Sequence, residues 1–257
     1  MDQAIPVFPS PGPKVKLVAM DQPWVWLAAG WSDFRRAPQV SLAYGAVLVA
    51  ISFVVSLGLY LADALYLLLP ATAGFMLVAP ALAVGLYETS RRIAAGEPVS
   101  LAAALAAWRR NAGQIAVLGL ILMLVHLVWI RIALLLYPLF FTGGYPASSD
   151  LIQVLFFSPV SLPFLIAGTI VGAALAAAVF AVSAISLPML IDREVGAITA
   201  IATSIVAVRA NLRAMALWAA LIVGFTAAGT VLIYLGLAVT LPLIAYASWH
   251  CYRDLVE

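Results

Sequence analysis

AGTIVGAALAAAVFAVSAIS, residues 167–186, is a run of 20 residues without a charge. At about 1.5 Å per helical residue it covers about 30 Å, the hydrocarbon thickness of a bilayer. The run extends over 161–188, and similar runs lie near 40–62, 64–87 and 112–136. A last one, 214–250, is long enough for two helices turning near Gly236. Six spans are therefore expected. LIYLGLAVTLPLIAY, inside the last run, has no polar loop, so a kinked or re-entrant piece stays open there.

Composition agrees with a membrane solvent. Of 257 residues, 65% are hydrophobic and 9% charged, and the mean hydropathy is +1.12. A soluble domain of that composition would lack a polar surface. The fold class expected is all-α: a polytopic helical bundle of about six transmembrane helices in three hairpins, with short interfacial helices. Residues 1–22 read as an irregular cytoplasmic tail, 23–37 as an interfacial amphipathic helix and 38–257 as a single transmembrane domain. The tail has prolines and lysines but no apolar stretch ending in a small-residue cleavage site, so no cleaved signal peptide is expected.

Within 23–37, Trp24, Leu27, Ala28, Trp31 and Phe34 recur at helical spacing, with Asp33, Arg35 and Arg36 as a polar flank. Trp rings favour the headgroup level, which makes Trp24 and Trp31 candidate lipid or partner contacts.

The cations set the orientation. Lys14, Lys16, Arg35 and Arg36 precede span one; Arg91, Arg92, Arg109 and Arg110 follow span two; Arg193, Arg209 and Arg213 follow span four; Arg253 follows span six. With six spans all fall on one side, which the positive-inside tendency makes cytoplasmic. Both termini are then cytoplasmic, and a bacterial inner membrane is the expected location. Asp63 and the loop YPLFFTGGYPASSDLIQVLFFSP, 137–159, take the other side.

Arg131, inside span three, is the exception. A cation there is costly unless it snorkels or finds a partner. Snorkelling, contact with an anionic headgroup, pairing with Asp63 or Asp150, and contact with another subunit all remain open to it.

A longer period is also present. Each even span carries a proline near its inner end: Pro80, Pro188 and Pro242. SLAAALAAWRRN ends at Asn111 and AIATSIVAVRAN at Asn211, each closing on Arg109 or Arg209 before an odd span. The pattern suggests three like hairpins, two followed by an amphipathic helix, at 97–110 and 195–210, with Pro98 in the first turn of the former. The prolines are candidate structural or gating positions, as are Asp192, Arg193 and His250, and Arg109 and Arg209 are candidate lipid or partner contacts. Gly168, Gly172 and Ala176 form a small-residue stripe that would bury span four at the centre of the bundle.

Enzyme signatures are missing: no HExxH, GxSxG, GxxxxGK[ST] or glycine-rich dinucleotide fingerprint occurs. Cys251 is the one cysteine, which excludes an internal disulfide and a CxxC metal knuckle. Two histidines, His126 and His250, are too few for haem and copper centres. No cofactor is expected, and a net charge of +2 gives no case for nucleic acid.

PWVWLAAGWSDFRRAPQVSLAYG (23–45), SLPMLIDREVGAITAIATSIVAVRANLRAMALWA (186–219) and LPLIAYASWHCYRDLVE (241–257) carry a resemblance. The chain resembles an uncharacterised family of bacterial integral membrane proteins, some of whose members are labelled cytochrome c oxidase subunits. The resemblance implies an accessory or assembly protein of a larger, respiratory membrane complex, held among membrane lipids. Two other functions stay open: a small-solute or ion transporter bending at its prolines, and a lipid-binding or membrane-organising protein.

Overall fold

The structure is a computed structural model that describes residues 13–142 and 144–257. The expected tail over 1–12 lies outside the described residues. The chain folds as an all-α polytopic membrane bundle. Its helices, in order, are α1 (Gln22–Arg36), α2 (Pro38–Leu61), α3 (Leu68–Leu82), α4 (Val84–Ala95), α5 (Leu101–Ala106) and α6 (Ala112–Phe140). There follow α7 (Leu151–Phe157), α8 (Ser161–Ser183), α9 (Ser186–Asp192), α10 (Ala197–Ala210), α11 (Leu212–Val231) and α12 (Leu237–Leu255).

Among the described residues, five segments are long and apolar enough to cross a membrane: α2, α3–α4, α6, α8–α9 and α11. Two of these are interrupted, and proline chemistry accounts for the breaks. Pro188 has no N–H for the Ala184 carbonyl, and helix gives way between Ser183 and Ser186. Pro80 is followed by a break at Ala83. α12 runs unbroken through Pro242, which leaves the Ala238 carbonyl without its usual donor.

The expected sixth span is α12, and it differs from the others in kind. Its second half carries Ser248, Trp249, His250, Tyr252, Arg253 and Asp254, too polar for a lipid-facing crossing. It tolerates them because 13 of its 19 residues are buried in protein. It also returns to the end where α1 begins: Lys16 N donates to Leu255 O at 2.9 Å and Glu257 N to Lys14 O at 3.0 Å, around an antiparallel Val15–Val256 bridge.

α12, and not the fourth span, forms the centre, contrary to the reading of the Gly168–Gly172–Ala176 stripe. α8–α9 is the least enclosed of the five spans, with 6% of its apolar window buried, and a Cβ on Gly168 would meet open space. The glycines that permit close packing on α12 sit on three other helices. A Cβ on Gly30 of α1 would lie 2.7 Å from Ala247 N, one on Gly45 of α2 would collide with the Ala238 carbonyl, and one on Gly229 of α11 would strike Thr240. Each glycine lets a backbone approach α12. Gly45 presses on the carbonyl that Pro242 frees, where a Cα–H can point at the oxygen.

The three hairpins share a plan. α5 packs on α4, α10 on α9 and α8, and α1 on α12, so α1 serves the third hairpin as the other two connecting helices serve theirs. α4, α9 and α12 also touch one another. On the outside, α6 packs on α3 and α2 on α12, but no comparable contact joins α11 to α8.

Local details depart from expectation. The helix expected over 97–110 starts at Leu101, after Ser100 caps it by accepting from Ala103 N at 3.1 Å; Pro98 lies before it. Asp33, expected on the polar flank of α1, is buried with Trp26 and Gly30. The 137–159 loop contains α7, and Tyr137, Phe141 and Phe164 pack as an aromatic knot beside it.

Candidate functional site

The polar residues gather where α4, α9 and α12 meet under α1. Three acids, one per neighbouring helix, organise them. Asp33 of α1 is 4% exposed; its Oδ2 accepts from Ser90 Oγ of α4 at 2.7 Å and lies 2.8 Å from His250 Nε2 of α12. One carboxylate thereby pins three helices.

Glu88 of α4 is 1% exposed and accepts from Arg92 Nε at 2.7 Å and Arg91 Nε at 2.8 Å, with Arg110 at 3.6 Å. The i+3 and i+4 spacing on one helix turn brings both guanidiniums to it. Arg91 also reaches Glu97 at 2.8 Å, a hydrogen bond that holds the Glu97 carboxyl below the usual range.

Asp192 of α9 accepts from Tyr252 Oη at 2.6 Å and Arg253 at 2.9 Å, both on α12. Arg193 donates to Tyr252 Oη at 2.9 Å and to the Glu257 carbonyl at 2.7 Å. Trp26 Nε1 donates to Asp254 Oδ2 at 2.9 Å. Asp192, Arg193 and His250, singled out in the sequence, thus stand in one belt. Asp33, Ser90 and Tyr252 complete it and went unmarked. Glu88 had a readable signal, an acid three and four residues before Arg91 and Arg92. Asp33 had none, since its partners come from α4 and α12.

The other candidates are dispersed. Trp24 and Trp31 lie on the outer face of α1, 54% and 41% exposed. Arg109 and Arg209 are exposed at the ends of connecting helices. Arg131 is exposed on α6 and has no acid partner among the described residues; Asp63 instead accepts from Ser148 N at 2.8 Å. Pro188 and Pro242 are buried, at separate places on α9 and α12.

Two cavities open near the basic end. One of about 280 Å³ is bounded by Gln22, Trp26, His250, Arg253 and Asp254; the other, of about 450 Å³, lies between Leu17, Met20, Arg209, Leu212 and Arg213. Neither touches Pro80, Pro188 or Pro242. Among the described residues no three His, Cys, Asp or Glu side chains gather as a metal site. His126, in α6, has its Nδ1 buried without a partner, against Gly74.

No curated protein and no solved structure matches the chain. Residues 68–192 match the family model described as predicted integral membrane protein (DUF2189). The match covers a little under half of the chain, from the start of α3 to the end of α9. The stretches that carry the sequence resemblance lie mostly outside it, and it brings no oxidase role. Over its central hairpins, then, this membrane protein is similar to the predicted integral membrane proteins of the DUF2189 family.

Proposed function

We propose that this protein is a noncatalytic accessory or assembly protein of a larger membrane complex, and that it presents α8 to a membrane helix of a partner. The observation that carries this reading is the surface of α8. It is part of the least buried of the five spans, and the exposed Ala173, Ala176 and Ala177 leave it a shallow face beside Ile166 and Ile170. Between membrane helices lipid tails compete equally for apolar surface, so association depends on close backbone approach, which small side chains permit. α8 and α11 make little contact with each other, unlike α6 with α3 and α2 with α12, which favours this side of the bundle as the place for a partner helix.

The polar belt fits this role as a rigid base, since its groups are committed to one another. By the positive-inside tendency it faces the cytoplasm of a bacterial inner membrane, with both termini. The sequence resemblance makes respiratory assemblies the first complexes to examine. The two cavities described lie at the basic end, away from the prolines, and so lend no support to a path that bends at them.

The test is mass spectrometry of complexes purified through this protein from native membranes, with an unrelated tagged membrane protein as control. A stoichiometric partner is expected, and A176L should lose it while still purifying as a folded protein. Recovery of this chain with lipid alone would count against the reading.

A further inference from the structure

The 450 Å³ cavity at the α10–α11 corner holds two guanidiniums whose charge nothing in the described residues answers. Half of the cations of the basic end have acid partners: Lys16 with Glu257, Arg91, Arg92 and Arg110 with Glu88, and Arg193 and Arg253 with Asp192. Of the others, Arg209 and Arg213 share one cavity. Arg209 closes α10 and Arg213 lies in the first turn of α11; both line the cavity, and no carboxylate does. At the equivalent α5–α6 corner, Arg110 has Glu88 within 3.6 Å. At this corner no acid takes that place.

The cavity has a fixed wall. Asn211 spends its whole amide on the extended segment and on α10: Oδ1 accepts from Val18 N at 2.8 Å, and Nδ2 donates to Lys16 O at 2.9 Å and Ala207 O at 3.1 Å. With the Val15–Val256 bridge behind it, this segment holds Leu17 and Met20 opposite the arginines. Leu17, Met20 and Leu212 are 78%, 60% and 65% exposed, at the point where the membrane-crossing α11 begins. The site thus joins two cationic residues to exposed apolar ones.

We propose that this cavity binds the phosphate of an anionic phospholipid, with Arg209 and Arg213 on the phosphate oxygens and Leu17, Met20 and Leu212 against the first part of the acyl chains. Arginine matches a phosphate through two parallel N–H···O bonds, and a lipid alone among phosphate carriers supplies apolar chains at the same depth. An inorganic phosphate would satisfy the guanidiniums but leave the apolar rim in water. The inference is independent of any partner at α8.

The test uses the full chain, delipidated in neutral detergent and titrated with phosphatidylglycerol while native mass spectrometry counts bound lipid. One tightly held phosphatidylglycerol is expected, with phosphatidylcholine weaker and inorganic phosphate unable to displace it. R209Q/R213Q should weaken binding roughly 10- to 30-fold. R35Q/R36Q, which removes the same charge elsewhere, should not. In the wild-type protein, a photoreactive phosphatidylglycerol should label residues 17–20 and 209–214, a readout that needs no variant to fold. Equal loss in both variants, displacement by inorganic phosphate, or labelling elsewhere would overturn the proposal.

Discussion

Gly45 is the residue whose replacement separates close packing from mere apolarity. It faces the backbone of Ala238, so Gly45→Leu should cost about 1–3 kcal/mol through overpacking. Gly58, on the same helix, has open space where a Cβ would stand, and Gly58→Leu should leave stability unchanged or slightly higher. Thermal unfolding in one detergent compares the two. At the belt, Asp33→Ala leaves Ser90 and His250 without their shared acceptor and should destabilise by about 2–4 kcal/mol in the same assay. On the opposite side of the molecule, the Ser148 N–H bond holds the Asp63 carboxyl below the usual aspartate range. That contact contributes stability above the ordinary aspartate value and loses it as pH falls through the lowered one. Ser148→Pro removes the donor and should return the Asp63 titration to the ordinary range, read by carbon NMR of labelled protein.

Among the elements, α8 and α12 show what a sequence conveys about burial in a membrane. Both are rich in small residues, and the Gly168–Gly172–Ala176 spacing pointed to α8 as the centre. A small-residue stripe reports that a helix can be approached closely, not whether the partner belongs to the same chain. The polar second half of α12 was the better sign, because a membrane helix with Trp249, His250, Tyr252 and Arg253 must be wrapped in protein. The apolar runs were readable from length and hydropathy alone. The breaks at Ala83 and Ala184 could be placed near prolines but not to the residue. α7 could not be seen, since a seven-residue helix with one polar residue, Gln153, is too short to show a periodicity. The belt was legible only in part: Glu88 with Arg91 and Arg92 is local, whereas Asp33, Ser90 and His250 converge from three helices. The exposed face of α8 gives a prediction of its own: A176L should leave the melting temperature unaltered, because no helix of this chain covers the site.

For the whole molecule, the three hairpins gather on α12 at the basic side, while α8 and α11 make little contact with each other. The pairing of Val15 with Val256 requires both to lie on one side of the bilayer. Cys251 is fully buried, so a maleimide reagent should leave the native protein unlabelled, and single cysteines can report on sidedness. Lys14→Cys and Arg253→Cys should label from the same side, and Ser149→Cys, beyond the outer end of α6, from the other. Labelling of Lys14→Cys and Ser149→Cys from one side would contradict the return of α12.

The central place of α12 has a bearing on biogenesis. The ribosome delivers α1, α2 and α11 to the membrane before α12, so Gly30, Gly45 and Gly229 wait with their grooves turned toward lipid until α12 enters among them. The acids Asp33 on α1 and Asp192 on α9 likewise wait for His250, Tyr252 and Arg253. A nascent chain stalled before Leu237 would thus be inserted yet coreless. It would carry an Asp33 lacking its His250 partner and three bare glycine grooves, marks by which membrane proteases and chaperones recognise unfinished work.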